Sequence, residues 1–241
     1  MLLLQLTQMD ADQVVGDYEI DGKPNRMPPR ALFMAPEAGA AFREIADVVE
    51  VSDMYRTPES SLSAVKRGRG ALPPGWSPHG FGEALDLKLK ETMRNLGKKL
   101  GLKRSATKAE LDAWMETKGF FCLRRDHTLG AEAWHYNFLG VGFIVPAKAK
   151  STFRLMEAKL LLVHGAQLAP DPKECQRLLA KLKMYGGAID GDIGPISREA
   201  IAAFQRAWRV KQEQGGKLGI RTRRTLAFVA RTTVVDGEVR S

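Results

Sequence analysis

Two segments about fifty residues apart carry the residue types best suited to chemistry: Ser77-Pro78-His79-Gly80-Phe81-Gly82-Glu83-Ala84-Leu85-Asp86 and Glu132-Ala133-Trp134-His135. Together they offer two imidazoles and a carboxylate to a metal, plus a spare carboxylate. Three protein ligands that leave a fourth position for water make the ligand count of a catalytic zinc site. The candidate ligands are His79, Asp86 and His135. Glu132 is the candidate proton-transfer group beside the water. The combination implies a zinc hydrolase.

Spacing constrains how these residues meet. His79 and Asp86 are seven apart and would face opposite ways on a flat strand. The chain must bend between them, and Gly80 and Gly82 permit it. Glu132 and His135 are three apart and need a bend or bulge for the same reason. Glu83 is a competing general base, though its place inside the loop reads more readily as solvent-facing. His127, beside Asp126 in a charged stretch, and His164 read as structural or surface residues.

The elements that must position these groups form an α+β pattern over residues 1–148. Apolar spacing predicts helices over 40–51, 88–100 and 108–118, and strands over 81–87 and 134–145. Residues 149–168 read as a helical linker. A compositional shift at Ala169-Pro170-Asp171-Pro172 opens a third segment, 169–241. There Asp171 is a good N-cap, Pro172 suits the first helical position, and Glu174 has capping-box spacing. Helix one would reach about residue 184, with Leu178, Leu179 and Leu182 inward. A second helix from Pro195 would bury Ile196, Ala200, Ile201, Phe204, Ala207 and Trp208, and a third from about Thr222 would bury Leu226 and Val229. A weak internal repeat relates residues 190–201 to 215–226, each a glycine-bearing turn leading through Gly194 or Gly219 into a helix. The segment reads as a compact three-helix unit.

Bulk properties bound the partners. The 241 residues are 44% apolar and 27% charged, which is ordinary for a soluble globular protein. No stretch approaches the ~20 apolar residues of a membrane span. Met1 to Leu6 lacks a basic leader and a small-residue cleavage site, so synthesis in the cytoplasm is expected. Cys122 and Cys175 fall outside any CxxC pair and read as free thiols. The net charge of +9 suits a polyanionic surface such as a bacterial wall. Aromatics do not alternate with the basic clusters 66–69 and 221–224, so nucleic acid is not the expected partner.

At the two chemical segments the chain resembles the zinc D-Ala-D-Ala carboxypeptidases and their relatives, the L-alanyl-D-glutamate endopeptidases of phage lysins. Residues 77–86 look like that family's SxHxxGxAxD signature, and residues 132–135 match its ExWH element. The resemblance covers roughly residues 45–145 and implies a small α+β fold with a central antiparallel sheet. It implies His79, Asp86 and His135 as zinc ligands and Glu132 as catalytic base. Tyr55-Arg56-Thr57 matches a Tyr-Arg pair before the zinc loop, in which the Arg serves the substrate or the oxyanion. A salt bridge holding the sheet is the other reading of Arg56. Tyr55, Ser77 and Trp134 are the expected substrate contacts. Asp53-Met54 and Ser61 depart from the family pattern on the substrate side.

Residues 190–195 and 200–205 resemble the peptidoglycan-binding type 1 domain, with Ser197 for the usual Thr and Gly215-Gly216 degenerate in the second half-repeat. The two resemblances imply a modular, monomeric phage endolysin. It would be made in the host cytoplasm and released to act on peptidoglycan in the periplasm, without inserting in the membrane. A D,D-carboxypeptidase that trims wall stems, and a non-catalytic wall-binding protein with structural zinc, are the alternatives.

Overall fold

The computed structural model describes residues 33–241 apart from 67–71, 131, 212, 232, 236–237 and 241, with short strands at 7–8, 19–20 and 23–24. Its helices are α1 (Pro36–Arg43), α2 (Pro58–Lys66), α3 (Leu89–Lys99), α4 (Lys108–Glu116), α5 (Phe153–Leu168), α6 (Pro172–Lys181), α7 (Pro195–Ala207) and α8 (Ile220–Arg231). The described residues fall into two compact units, one formed by 5–56 with 81–159 and the other by 57–80 with 160–241.

The first unit is mixed α+β. Its sheet has four antiparallel strands, β1 (Val51–Asp53), β2 (Ala84–Leu87), β3 (Phe120–Cys122) and β4 (His135–Phe138), in the order β1-β2-β4-β3. Val51, Leu85, Leu87, Phe120, Tyr136 and Phe138 enter one core together with Phe42, Ile45, Leu96, Leu111 and Met115. α4 starts in a full capping box: the Thr107 hydroxyl accepts from Glu110 N–H while the Glu110 carboxylate accepts from Thr107 N–H. Behind β4 lies a polar cluster that the fold buries. Tyr136 Oη donates to Asp112 Oδ1 at 2.6 Å, Lys108 pairs with the same carboxylate, and the exposed His127 places Nδ1 2.7 Å from Asp112 Oδ2.

The predicted elements differ from these in extent. The helix expected over 40–51 begins and ends earlier, because Pro36 suits a first helical turn and Val51 is drawn into the sheet opposite Leu87. The strand expected over 81–87 starts at Ala84, since Phe81 closes a 3-10 turn, Pro78–Phe81. The strand expected over 134–145 spans only His135–Phe138. Gly140 and Gly142 then turn the chain at positive φ. Val141 between them and Phe143 and Ile144 beyond them are exposed.

In the second unit α6, α7 and α8 form the three-helix element, and the internal repeat is a shared hydrogen-bonding device. Gln176, buried on α6, accepts from Gly191 N–H and donates to the Asp192 carbonyl and the Ser197 hydroxyl. Gln205, buried on α7, accepts from Gly216 N–H and donates to the Lys217 carbonyl and the Thr222 hydroxyl. Arg198 and Arg223 then repeat the same bond, to the carbonyls of Ile193 and Leu218. Each amide thus satisfies a glycine turn that starts the next helix, which the helix itself cannot do. Asp171 caps α6 by accepting from Glu174 N–H, while the Glu174 carboxylate pairs with Arg177. Leu178, Leu179, Ala200, Ile201, Phe204, Leu226 and Val229 are buried as the periodicity implies. Ile196, expected inward, is 63% exposed, Ala207 is exposed and Trp208 half-buried. These positions lie at the ends of the α7 stripe, where the helix drifts out of register with its partners.

α8 also reaches back along the sequence within this unit. The Arg224 guanidinium is buried, donates to the Gly75 carbonyl and stacks 4.2 Å above the Trp76 ring. A Cβ at Gly80 would lie 2.8 Å from the Phe228 ring, so glycine is what allows helix and loop to approach this closely.

Candidate functional site

The register of the sheet accounts for the core of the site. Asp86 on β2 is the direct cross-strand partner of His135 on β4, and Asp53 on β1 is the partner of Asp86. Cross-strand partners share a face with Cβ atoms about 4.5–5.5 Å apart, so the three side chains form one row. A register shift between Val51 and Asp53 sets Asp53 opposite Asp86 while Val51 stays in the core. Two carboxylates opposite one another repel. Arg56 relieves this: its Nε pairs with Asp53 Oδ2 and its Nη2 donates to Asp86 Oδ2 at 2.9 Å.

The remaining Asp86 oxygen, Oδ1, lies 2.9 Å from His135 Nδ1. On its other side the imidazole places Nε2 2.9 Å from Asn137 Oδ1. Asn137 Oδ1 only accepts, so Nε2 carries a proton, and Nδ1 faces the Asp86 carboxylate, an acceptor as well. Asn137 is itself fixed, with Nδ2 donating to Thr152 Oγ1 at 3.0 Å and that hydroxyl donating to the Cys122 carbonyl. Burial disfavours a charged imidazole here. The Asp86 hydrogen bond and charge, with Asn137 and the nearby Glu132, outweigh it and hold the His135 pKa above its ordinary value.

His79 stands in the bend that its spacing from Asp86 requires. The 3-10 turn Pro78–Phe81 is followed by Gly82 at φ 68°, a left-handed conformation that favours glycine. One donor atom each from His79, Asp86 and His135 lies within 4.8 Å of the others, and all three residues are buried. Two imidazoles and a carboxylate, converging where negative charge already favours a cation, fit a zinc ion.

Glu132 enters by the second predicted bend. It is half-buried at φ 63°, and its carbonyl accepts from His135 N–H at 3.1 Å, so the turn that carries it leads directly into β4. A non-glycine residue held in the left-handed region is a strained position of the kind found at functional sites. Glu83 is not the solvent-facing residue its loop position implied. It is buried and pairs with Lys159 at 3.0 Å, and burial raises its pKa despite that lysine. Of the expected substrate contacts, Tyr55 and Ser77 are buried and Trp134 is 41% exposed. Cys122 and Cys175 are free thiols, both buried.

Two residues of this arrangement were not expected in it, Asn137 and Asp53, the latter noted in the sequence only as a departure from the family pattern. Asn137 had a readable signal. It sits two after His135 on a strand and therefore on the same face. Asp53 had none, because its place opposite Asp86 depends on the irregular register.

Comparison with known families adds one result. The PG_binding_1 family model, a peptidoglycan binding domain, matches residues 169–226. No curated protein and no solved structure matches the chain. Among the described residues no helix is long and apolar enough to cross a membrane. Residues 169–226 are thus similar to a peptidoglycan-binding domain, and they take in α6, α7 and the start of α8.

Proposed function

We propose that the chain is a zinc-dependent peptidoglycan peptidase, working as a phage endolysin and cutting the wall stem peptide, with the L-Ala–D-Glu bond as the preferred target. The observation that carries this reading is the convergence of His79, Asp86 and His135 three residues beyond Glu132, in a chain with a peptidoglycan-binding domain. Zinc held by that triad would supply an acidified water and polarise the scissile carbonyl. Glu132 takes the proton of the attacking water and returns it to the leaving amine, and its strained turn fixes where it acts. Asn137 holds His135 with Nδ1 directed at the triad. Arg56 occupies the outer oxygen of Asp86, leaving the inner one for the ion. Its guanidinium is one carboxylate away from the reacting centre, where a substrate carboxylate or developing oxyanion can recruit it. The wall-binding domain raises the local concentration of an insoluble substrate. The site of action is then the periplasmic wall, reached after synthesis in the host cytoplasm.

Mass spectrometry of purified peptidoglycan digested by the protein, by chelator-treated protein and by Glu132→Gln tests this. New amino termini at D-Glu that require both metal and Glu132 are expected. Loss of terminal D-Ala instead would make the enzyme a carboxypeptidase. Intact stems despite bound zinc would overturn the peptidase reading and leave a wall-binding protein with structural metal.

A further inference from the structure

The peptidoglycan-binding domain contains a cleft of about 340 Å³ where α7 ends and the chain turns toward α8. Its apolar lining comes from Ala202 and Val210, and its charge from Arg206, Arg209 and Lys211, with Gln214 beside them. Among the described residues, no acidic and no aromatic side chain lines it.

The arginines of this domain divide sharply by what they do. Arg177 pairs with Glu174, Arg198 and Arg223 bind turn carbonyls, and Arg224 binds the Gly75 carbonyl. Arg206 and Arg209 are exposed, and neither makes a side-chain hydrogen bond or ion pair with any described residue; the same is true of Lys211. The nearest acid in sequence, Glu213, is committed to the start of α8, where its carboxylate accepts from Arg221 and Thr222 N–H. The cleft therefore gathers three cations that no described residue pairs with. Arg209 also stands at φ 56°, in the turn that ends α7. Val210 N–H bonds back to the Gln205 carbonyl there, and glycine is the usual occupant of such a position.

We propose that this cleft is the wall-binding site and that it takes the carboxylates of the stem peptide rather than the glycan. The inference rests on the domain being peptidoglycan-binding, and not on the peptidase reading. Guanidinium forks match carboxylates in geometry as well as charge. The cleft volume is at the small end of ligand sites, enough for a short peptide segment. A neutral sugar chain would leave all three cations unanswered and would find no aromatic face to lie against.

The test uses the full chain carrying Glu132→Gln, so that probes are not cut, and measures binding calorimetrically. The probes are a stem tetrapeptide with free carboxylates, the same peptide fully amidated, a chito-oligosaccharide and a DNA duplex of similar charge. Arg206→Ala, Arg209→Gly and Lys211→Ala are combined, the glycine chosen because it relaxes the strained turn and keeps the domain folded. The free-acid peptide is expected to bind, with at least a tenfold loss on amidation and a tenfold loss in the triple variant at unchanged melting temperature. Binding of the chito-oligosaccharide in preference to the peptide, unchanged peptide affinity in the triple variant, or equal affinity for DNA would each overturn the assignment. Wild-type cleavage of the wall, assayed separately, reports on the peptidase reading alone.

Discussion

On the proposed metal site, Asn137→Leu isolates the residue that would turn a histidine on a strand into a directed ligand. Asn137 is buried and uses both ends of its amide, accepting from His135 Nε2 at 2.9 Å and donating to Thr152 Oγ1 at 3.0 Å. Leucine keeps the volume and removes both bonds. His135 N–H is then left without its acceptor in a buried site, at a cost of about 1–3 kcal/mol in stability. The imidazole is also free to turn or change tautomer, and losing such a supporting bond typically weakens metal affinity about 10–100-fold. Asn137→Asp is the matched control. It retains an acceptor for Nε2–H, so its zinc affinity should stay close to that of the unaltered protein. Zinc competition against a chromophoric chelator gives the affinities, and thermal melts of the metal-free proteins give the stabilities. If Asn137→Leu is folded and binds zinc within twofold of the unaltered protein, then Asn137 does not orient His135 and the placement of the metal at Nδ1 is wrong.

Three further outcomes are expected. Burial raises the Glu83 pKa above its ordinary value, so its contribution to stability is present below about pH 4.5 and lost as pH rises through the folded value. Glu83→Gln should therefore gain stability relative to the unaltered protein between pH 4.5 and 7 in parallel denaturant melts, and a constant difference across that range would refute it. Gly80→Ala places a Cβ 2.8 Å from the Phe228 ring, so it should destabilise the unaltered protein and cost measurably less in a Phe228→Ala background, which alone loses about 3–5 kcal/mol. Additive effects in that double-mutant cycle would show that helix and loop do not meet there. Gln205→Ala leaves the buried Gly216 N–H without its acceptor and should cost about 1–3 kcal/mol by chemical denaturation; a smaller loss than that of an exposed control such as Gln214→Ala would count against the repeat device.

What the sequence determined by itself was chemical identity and local geometry. His79, Asp86 and His135 were legible as a possible metal-binding group because few patterns place two imidazoles and a carboxylate in such compact segments. The two bends were legible because period-two alternation would otherwise have sent the side chains to opposite faces. Asp171 as N-cap and Pro195 at the start of α7 followed from local backbone demands, and the second-domain core followed from its 3.6-residue period. Tertiary structure decided what depends on register and burial. Only pairing of β1, β2 and β4 could show that Asp53, Asp86 and His135 form one row, and that Arg56 neutralises two of its carboxylates. Only packing could show that Glu83 is buried against Lys159, and that Gln176 and Gln205 perform the same task in two half-repeats whose sequences have diverged. The division follows the range of the interactions. Caps, turns and amphipathic faces are set by residues a few positions apart, whereas a cross-strand partner 49 positions away is chosen by the energy of the whole sheet.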